Sequence, residues 1–127
     1  MKNKITIAID AMGGEDAPDK TIRGLSIFLK IEKNSKKTFF LLYGNEELIL
    51  KKIDKYKVSL DNIKIFNTET VVSDEETPLT AVKSSKNSSM WNSIQSQISQ
   101  ESDISLSAGN TGVLFVISRM LLKTIDQ

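Results

Sequence analysis

Three short apolar runs and their spacing constrain the fold of this chain more than any other feature. They are Ile5–Ile9, Thr38–Tyr43 and Ile63–Phe66, each rich in β-branched or aromatic residues. Between them lie segments of helical periodicity. The first has Ile22, Leu25, Phe28 and Leu29 on one face. It is expected from about Pro18 to Glu32, with Asp16 as N-cap and Asn34-Ser35 as its end. The second, Glu46–Lys55, carries acids in its first turn and lysines in its last, as the helix dipole favours. The order β-α-β-α-β predicts parallel strands joined by right-handed crossovers. Small Ala8 among the isoleucines of the first strand fits a sheet covered on both faces.

The second half is less regular. Asp74–Pro78 reads as a turn, and Pro78–Ser84 as one or two helical turns. Ten serines fall between Ser84 and Ser107, a composition shared with flexible linkers. Met90, Trp91, Ile94 and Ile98 recur at helical spacing, however, and predict an ordered helix over Ser89–Gln100. Asp103–Ser107 alternates as a fourth strand, and Val113–Lys123 reads as a strongly apolar helix.

Composition excludes several chemistries. The 127 residues contain no His and no Cys. No serine triad, thiolate nucleophile, disulfide, zinc-thiolate or iron–sulfur site can therefore be built from this chain alone. Net charge is +1, with residues 1–64 at +4 and residues 65–127 at −3. The lysines read as solvated helix faces, without the interleaved aromatics of a nucleic-acid surface. Met1–Lys4 is basic, but the apolar run after it is too short for a signal peptide. No run reaches the ~20 residues of a membrane span. A cytoplasmic location follows as the expectation.

Two loops follow strands and contain paired or spaced glycines: Asp10-Ala11-Met12-Gly13-Gly14 and Ser107-Ala108-Gly109-Asn110-Thr111-Gly112. In a parallel sheet, such loops lie at the carboxyl ends of strands, where ligands bind. Backbone N–H groups at a following helix N-terminus suit phosphate or carboxylate. Neither loop is a Walker A motif or a complete dinucleotide fingerprint. Gly13-Gly14-Glu15 shares its start with the turn of cyclic-dinucleotide synthases, but here Asp16-Ala17-Pro18 opens a helix. A third constellation, Lys83, Lys86, Ser88 and Ser89, sets cations beside hydroxyls and can bind an anion.

Taken in order, Asp10-Ala11-Met12-Gly13-Gly14-Glu15-Asp16-Ala17-Pro18, Lys83 through Ser88-Ser89-Met90, and Ser107-Ala108-Gly109-Asn110-Thr111-Gly112 resemble the signatures of the phosphate acyltransferase family of the PlsX type. The resemblance spans essentially the whole chain. It implies a parallel-sheet, three-layer α/β sandwich similar to isocitrate/isopropylmalate dehydrogenases and phosphotransacetylases. Residues 1–127 would form the N-terminal portion of one larger, here truncated, domain. The implied reaction moves a fatty acyl group from acyl carrier protein to inorganic phosphate, giving acyl phosphate for phospholipid synthesis. It implies a homodimer at full length and peripheral association with the inner membrane face, with no cofactor, no metal and no nucleic acid. Asp10, Lys83 and Asn110 are the implied catalytic residues. Gly13, Gly14, Lys86, Ser88, Ser89, Ser107, Gly109, Thr111 and Gly112 are the implied substrate and phosphate ligands. Two positions depart from the family pattern: Glu15 replaces the usual Asp, and Lys83 the usual Arg, which loses bidentate recognition. The alternatives are a non-catalytic remnant or split-gene fragment, and a stand-alone anion- or nucleotide-binding α/β module.

Overall fold

The computed structural model describes residues 4–72 and 86–109. The expected elements at Asp74–Ser84 and Val113–Lys123 lie outside these. Four strands, β1 (Ile5–Asp10), β2 (Thr38–Gly44), β3 (Ile63–Asn67) and β4 (Ile104–Ser107), form one sheet in the order β3-β2-β1-β4. Every pairing is parallel. The helices are α1 (Asp19–Leu29), α2 (Glu32–Lys37), α3 (Glu46–Tyr56) and α4 (Ser89–Ile98).

The sheet is covered on both faces, as the apolar strands required. On one face, Ile22 and Leu25 of α1 and Ile49 and Ile53 of α3 pack on Phe40, Leu42 and Ile63. Phe28 meets Phe40 edge to face, with ring centroids 5.8 Å apart. The opposite face carries Ala8, Leu41 and Tyr43, and α4 lies against β1, β4 and β2 there. The result is a three-layer α/β arrangement.

The expected first helix divides in two. The α1 helix stops at Leu29, and α2 begins at Glu32 after two intervening residues. The Asn34 side-chain amide donates to the Phe28 carbonyl (3.0 Å), so a residue expected to end the helix instead bridges the break. Asp16 is not the N-cap. It sits in the left-handed region at φ 60°, and its carbonyl accepts the Lys20 N–H (3.0 Å).

Helix α4 corrects the expected apolar face. Its buried residues are Ser89, Met90, Ser93, Ile94 and Ser96, while Trp91 is half-buried and Ile98 is exposed. Two of the inward serines bond back to the helix: Ser93 Oγ donates to the Met90 carbonyl (2.9 Å) and Ser96 Oγ to the Ser93 carbonyl (2.6 Å). Back-bonded serines are small and need no further partner, so α4 can lie close on the sheet. The serine-rich stretch from Ser88 onward is thus packed structure.

A polar cluster ties α1 to α3. Tyr56 Oη donates to both Asp19 oxygens (2.9 and 2.8 Å), and Lys52 and Lys55 lie 3.1 and 3.5 Å from Oδ1. The Tyr56 hydrogen bond, with the two ammonium groups, holds the Asp19 carboxyl below its ordinary value of 3.8. A carboxyl with a depressed folded pKa stabilises the protein above its unfolded pKa. That contribution is lost as pH falls through the folded value. The stability gap between the native chain and Tyr56→Phe should be open near pH 6 and should narrow as pH drops below 3.8. A gap constant with pH in urea titrations would contradict this assignment.

Candidate functional site

Sheet order sets the location of the site. From β1 the chain moves one way to β2 and β3, then crosses to place β4 on the other side of β1. The crevice beyond the carboxyl ends of β1 and β4 is therefore a topological switch point, where parallel α/β sheets bind ligands. Asp10 ends β1, Ser107 ends β4, and the two are register partners.

Asp10 is buried at 3% exposure, and both carboxylate oxygens are engaged. Oδ1 accepts the Met12 N–H (3.1 Å) and Oδ2 accepts the Ser107 hydroxyl (2.8 Å). Ser107 Oγ in turn accepts the Gly109 N–H (3.1 Å). A hydrogen-bonded chain thus runs from the second glycine loop through Ser107 to the first. The Asp10–Met12 contact is an Asx turn, legible in an Asp that closes a strand before small residues.

Glycine is required where the loops meet. A Cβ on Gly13 would stand 2.8 Å from Asp10 Oδ2, 2.8 Å from the Gly109 nitrogen and 3.0 Å from Ser107 Oγ. Gly14 has φ +87°, and a Cβ there would stand 3.1 Å from the Ala108 carbonyl oxygen. Both positions need a residue without a side chain, one for space and one also for conformation.

The N-terminus of α4 reaches the same end of the sheet. Ser88, fully buried, caps it by accepting the Trp91 N–H (3.0 Å). Ser88 also forms an isolated parallel bridge to Thr70, and the Ser89 N–H donates to the Thr70 carbonyl (3.1 Å). The Ser89 hydroxyl is buried without a hydrogen-bond partner. The Met90 Cε would lie 2.8 Å from a Cβ on Gly109, so this methionine fills the space the glycine leaves. Sequence periodicity marked Met90 only as core, and nothing local signalled its contact with a loop nineteen positions away.

Of the twelve residues singled out, Asp10, Gly13, Ser107 and Gly109 come together directly, and Gly14 adjoins them against Ala108. Ser88 and Ser89 immediately precede Met90, which bridges to Gly109. Lys86 is exposed on the turn before α4. Lys83, Asn110, Thr111 and Gly112 lie outside the described residues. No helix among the described residues is long and apolar enough to cross a membrane.

Fold and site together define a doubly wound parallel α/β protein whose two glycine loops are bolted to each other at the switch point. Sequence comparison narrows that class. The sequence model of the family described as "Fatty acid synthesis protein" matches residues 5–127, and the chain belongs to that family. It is 41% identical over 99% of its length to the phosphate acyltransferase of Pelagibacter ubique. It is 40% identical over 95% to that of Ehrlichia ruminantium, and 35% identical over 98% to that of Rhodopseudomonas palustris. The chain spans only 36%, 36% and 35% of these three relatives, about a third of their length.

Proposed function

We propose that this chain is the acceptor-binding portion of an acyltransferase that moves a fatty acyl group from acyl carrier protein to inorganic phosphate. The observation that carries this reading is the junction of the Asp10–Gly14 and Ser107–Gly109 loops at the switch point. It leaves backbone and small side chains, rather than bulk, facing a crevice where an anion can approach.

In the proposed reaction, a phosphate oxygen attacks the thioester carbonyl. The new C–O bond forms, the C–S bond breaks, and the thiolate leaves, taking up the proton that the attacking hydrogen phosphate gives up. The protein must hold phosphate in line and stabilise the oxyanion of the tetrahedral intermediate. The Gly109–Gly112 loop, through its backbone N–H groups beyond Gly109 and the Asn110 and Thr111 side chains, takes that role in this reading, while the Gly109 N–H holds Ser107 Oγ. Ser88 and Ser89 add hydroxyls, and Lys83 and Lys86 supply positive charge. Asp10 serves to orient donors: both its oxygens already accept hydrogen bonds, which suits a fixed acceptor better than a mobile base. A dimer, a cytoplasmic location and association with a membrane surface belong to the same reading, as properties of the whole enzyme.

An acyl-phosphate assay tests this reading. The 127-residue chain is mixed with acyl carrier protein loaded with a fatty acyl group, phosphate, and a polypeptide supplying the remaining part of a relative. Acyl phosphate should form only in the complemented mixture, and Asn110→Ala should abolish most of it. No product in the complemented mixture would sink the acyltransferase reading. Full activity of Asn110→Ala would sink the role given to that residue.

A further inference from the structure

Away from the switch point, α1 and α3 enclose a cleft lined by Lys20, Arg23, Lys52 and Lys55, with Asp16 and Asp19 beside them. Its four cations face two carboxylates. Asp19 is already taken up by Tyr56, Lys52 and Lys55. Lys20 and Arg23 are exposed, with no ion-pair partner among the described residues, and Asp16 is the only opposing carboxylate left in the lining. The basic half of the chain therefore does more here than solvate helix faces, because two of its cations converge unpaired at one concave place.

The adjoining surface is apolar. Ile27, one turn beyond Arg23 on α1, is 60% exposed, and Gly24 between them has no heavy atom within 4 Å of where a Cβ would stand. Lys20, Arg23, Gly24 and Ile27 thus form one exposed helix stripe that is cationic at its start, flat in the middle and apolar at its end. The cleft also adjoins the crevice along the chain. Gly13 and Gly14 pack on the second loop, and Asp16 and Ala17 line the cleft.

We propose that this cleft and stripe form the docking surface for an acidic carrier protein, which presents carboxylates to Lys20 and Arg23 and an apolar side chain to Ile27. The proposal rests on the acyltransferase reading, which supplies the carrier as substrate. A protein partner fits better than a lipid surface because the cations lie in a concavity between two helices, where a protruding helix can enter and a planar bilayer cannot. Charges at such a rim act mainly on association rate and salt dependence.

The test is calorimetric titration of the purified 127-residue chain with apo acyl carrier protein, which lacks the thiol arm and so reports on surface docking alone. Lys20→Glu/Arg23→Glu should weaken binding at least about tenfold and flatten its salt dependence. Lys33→Glu/Lys37→Glu, on α2, should change it less than about twofold. Both pairs are exposed, so circular dichroism should be unchanged, and Lys20→Ala/Arg23→Ala should act in the same direction with smaller effect. Equal weakening by the α1 and α2 pairs would overturn the proposal. So would binding that ignores Lys20 and Arg23, and that outcome would leave the carrier as a partner and the acyltransferase reading intact. Absence of carrier binding to the native chain would also overturn it, as would binding to phosphatidylglycerol vesicles in place of the carrier. In both cases the acyl-phosphate assay judges the reading separately.

Discussion

Gly13→Ala should pry apart the two loops that form the crevice. The added methyl would stand 2.8 Å from Asp10 Oδ2 and from the Gly109 nitrogen, and 3.0 Å from Ser107 Oγ. None of these atoms yields easily. The Asp10 carboxylate is pinned by the Met12 N–H and the Ser107 hydroxyl, and the Gly109 nitrogen is backbone tied to Ser107. Overpacking of this kind costs about 1–3 kcal/mol. The larger effect is expected on chemistry, since displacing positioning groups by about 1 Å can cost on the order of 100-fold in rate. Complemented Gly13→Ala should therefore lose roughly two orders of magnitude in acyl-phosphate formation. Gly24→Ala is the matched control. It lies inside α1 with open space around it and should stabilise the chain by about 0.5–1 kcal/mol. Native activity in Gly13→Ala would show that the loop junction does not position the reaction.

Leu42→Ala should cost the most stability. Leu42 is fully buried in β2, between β1 and β3, in the cluster that includes Ile22, Ile49 and Ile53. Its neighbours belong to α1 and α3 as well as the sheet, so truncation leaves a cavity that no single element can collapse to fill. Such substitutions cost about 2–5 kcal/mol, a large fraction of the roughly 5–15 kcal/mol that holds a typical domain together. The urea midpoint should fall accordingly. Leu60→Ala, at a residue 55% exposed, should move it little. Equal midpoints for the two variants would mean that the core does not lie where this packing puts it.

The parallel strands and the two crossovers that join the first three of them were legible because their signals are local. Ile5–Ile9 and Thr38–Tyr43 are too apolar to face water on either side, and a strand buried on both faces requires helices above and below. The charge order along α3 likewise named its ends within a residue. Where local signals conflicted, packing decided. Asn34 reads as a helix stop, yet its amide bridges α1 to α2. Trp91 and Ile98 read as the buried face of α4, yet serines occupy much of it. A back-bonded hydroxyl is compact and satisfied, and hydrophobic periodicity does not register it.

The two glycine loops show the same division. Their composition alone marked each as a strand-to-helix turn able to face a ligand. Their meeting could not be read from either, because Asp10 and Ser107 are 97 positions apart and become neighbours only when β4 pairs beside β1. The cleft that Lys20 and Arg23 share with Lys52 and Lys55 exists only once α1 packs on α3. Strand identity and loop chemistry follow from residue periodicity over a few positions, so the sequence by itself determined them. The union of the loops and the cationic cleft depend on the order in which strands pair, and only the tertiary structure decided that.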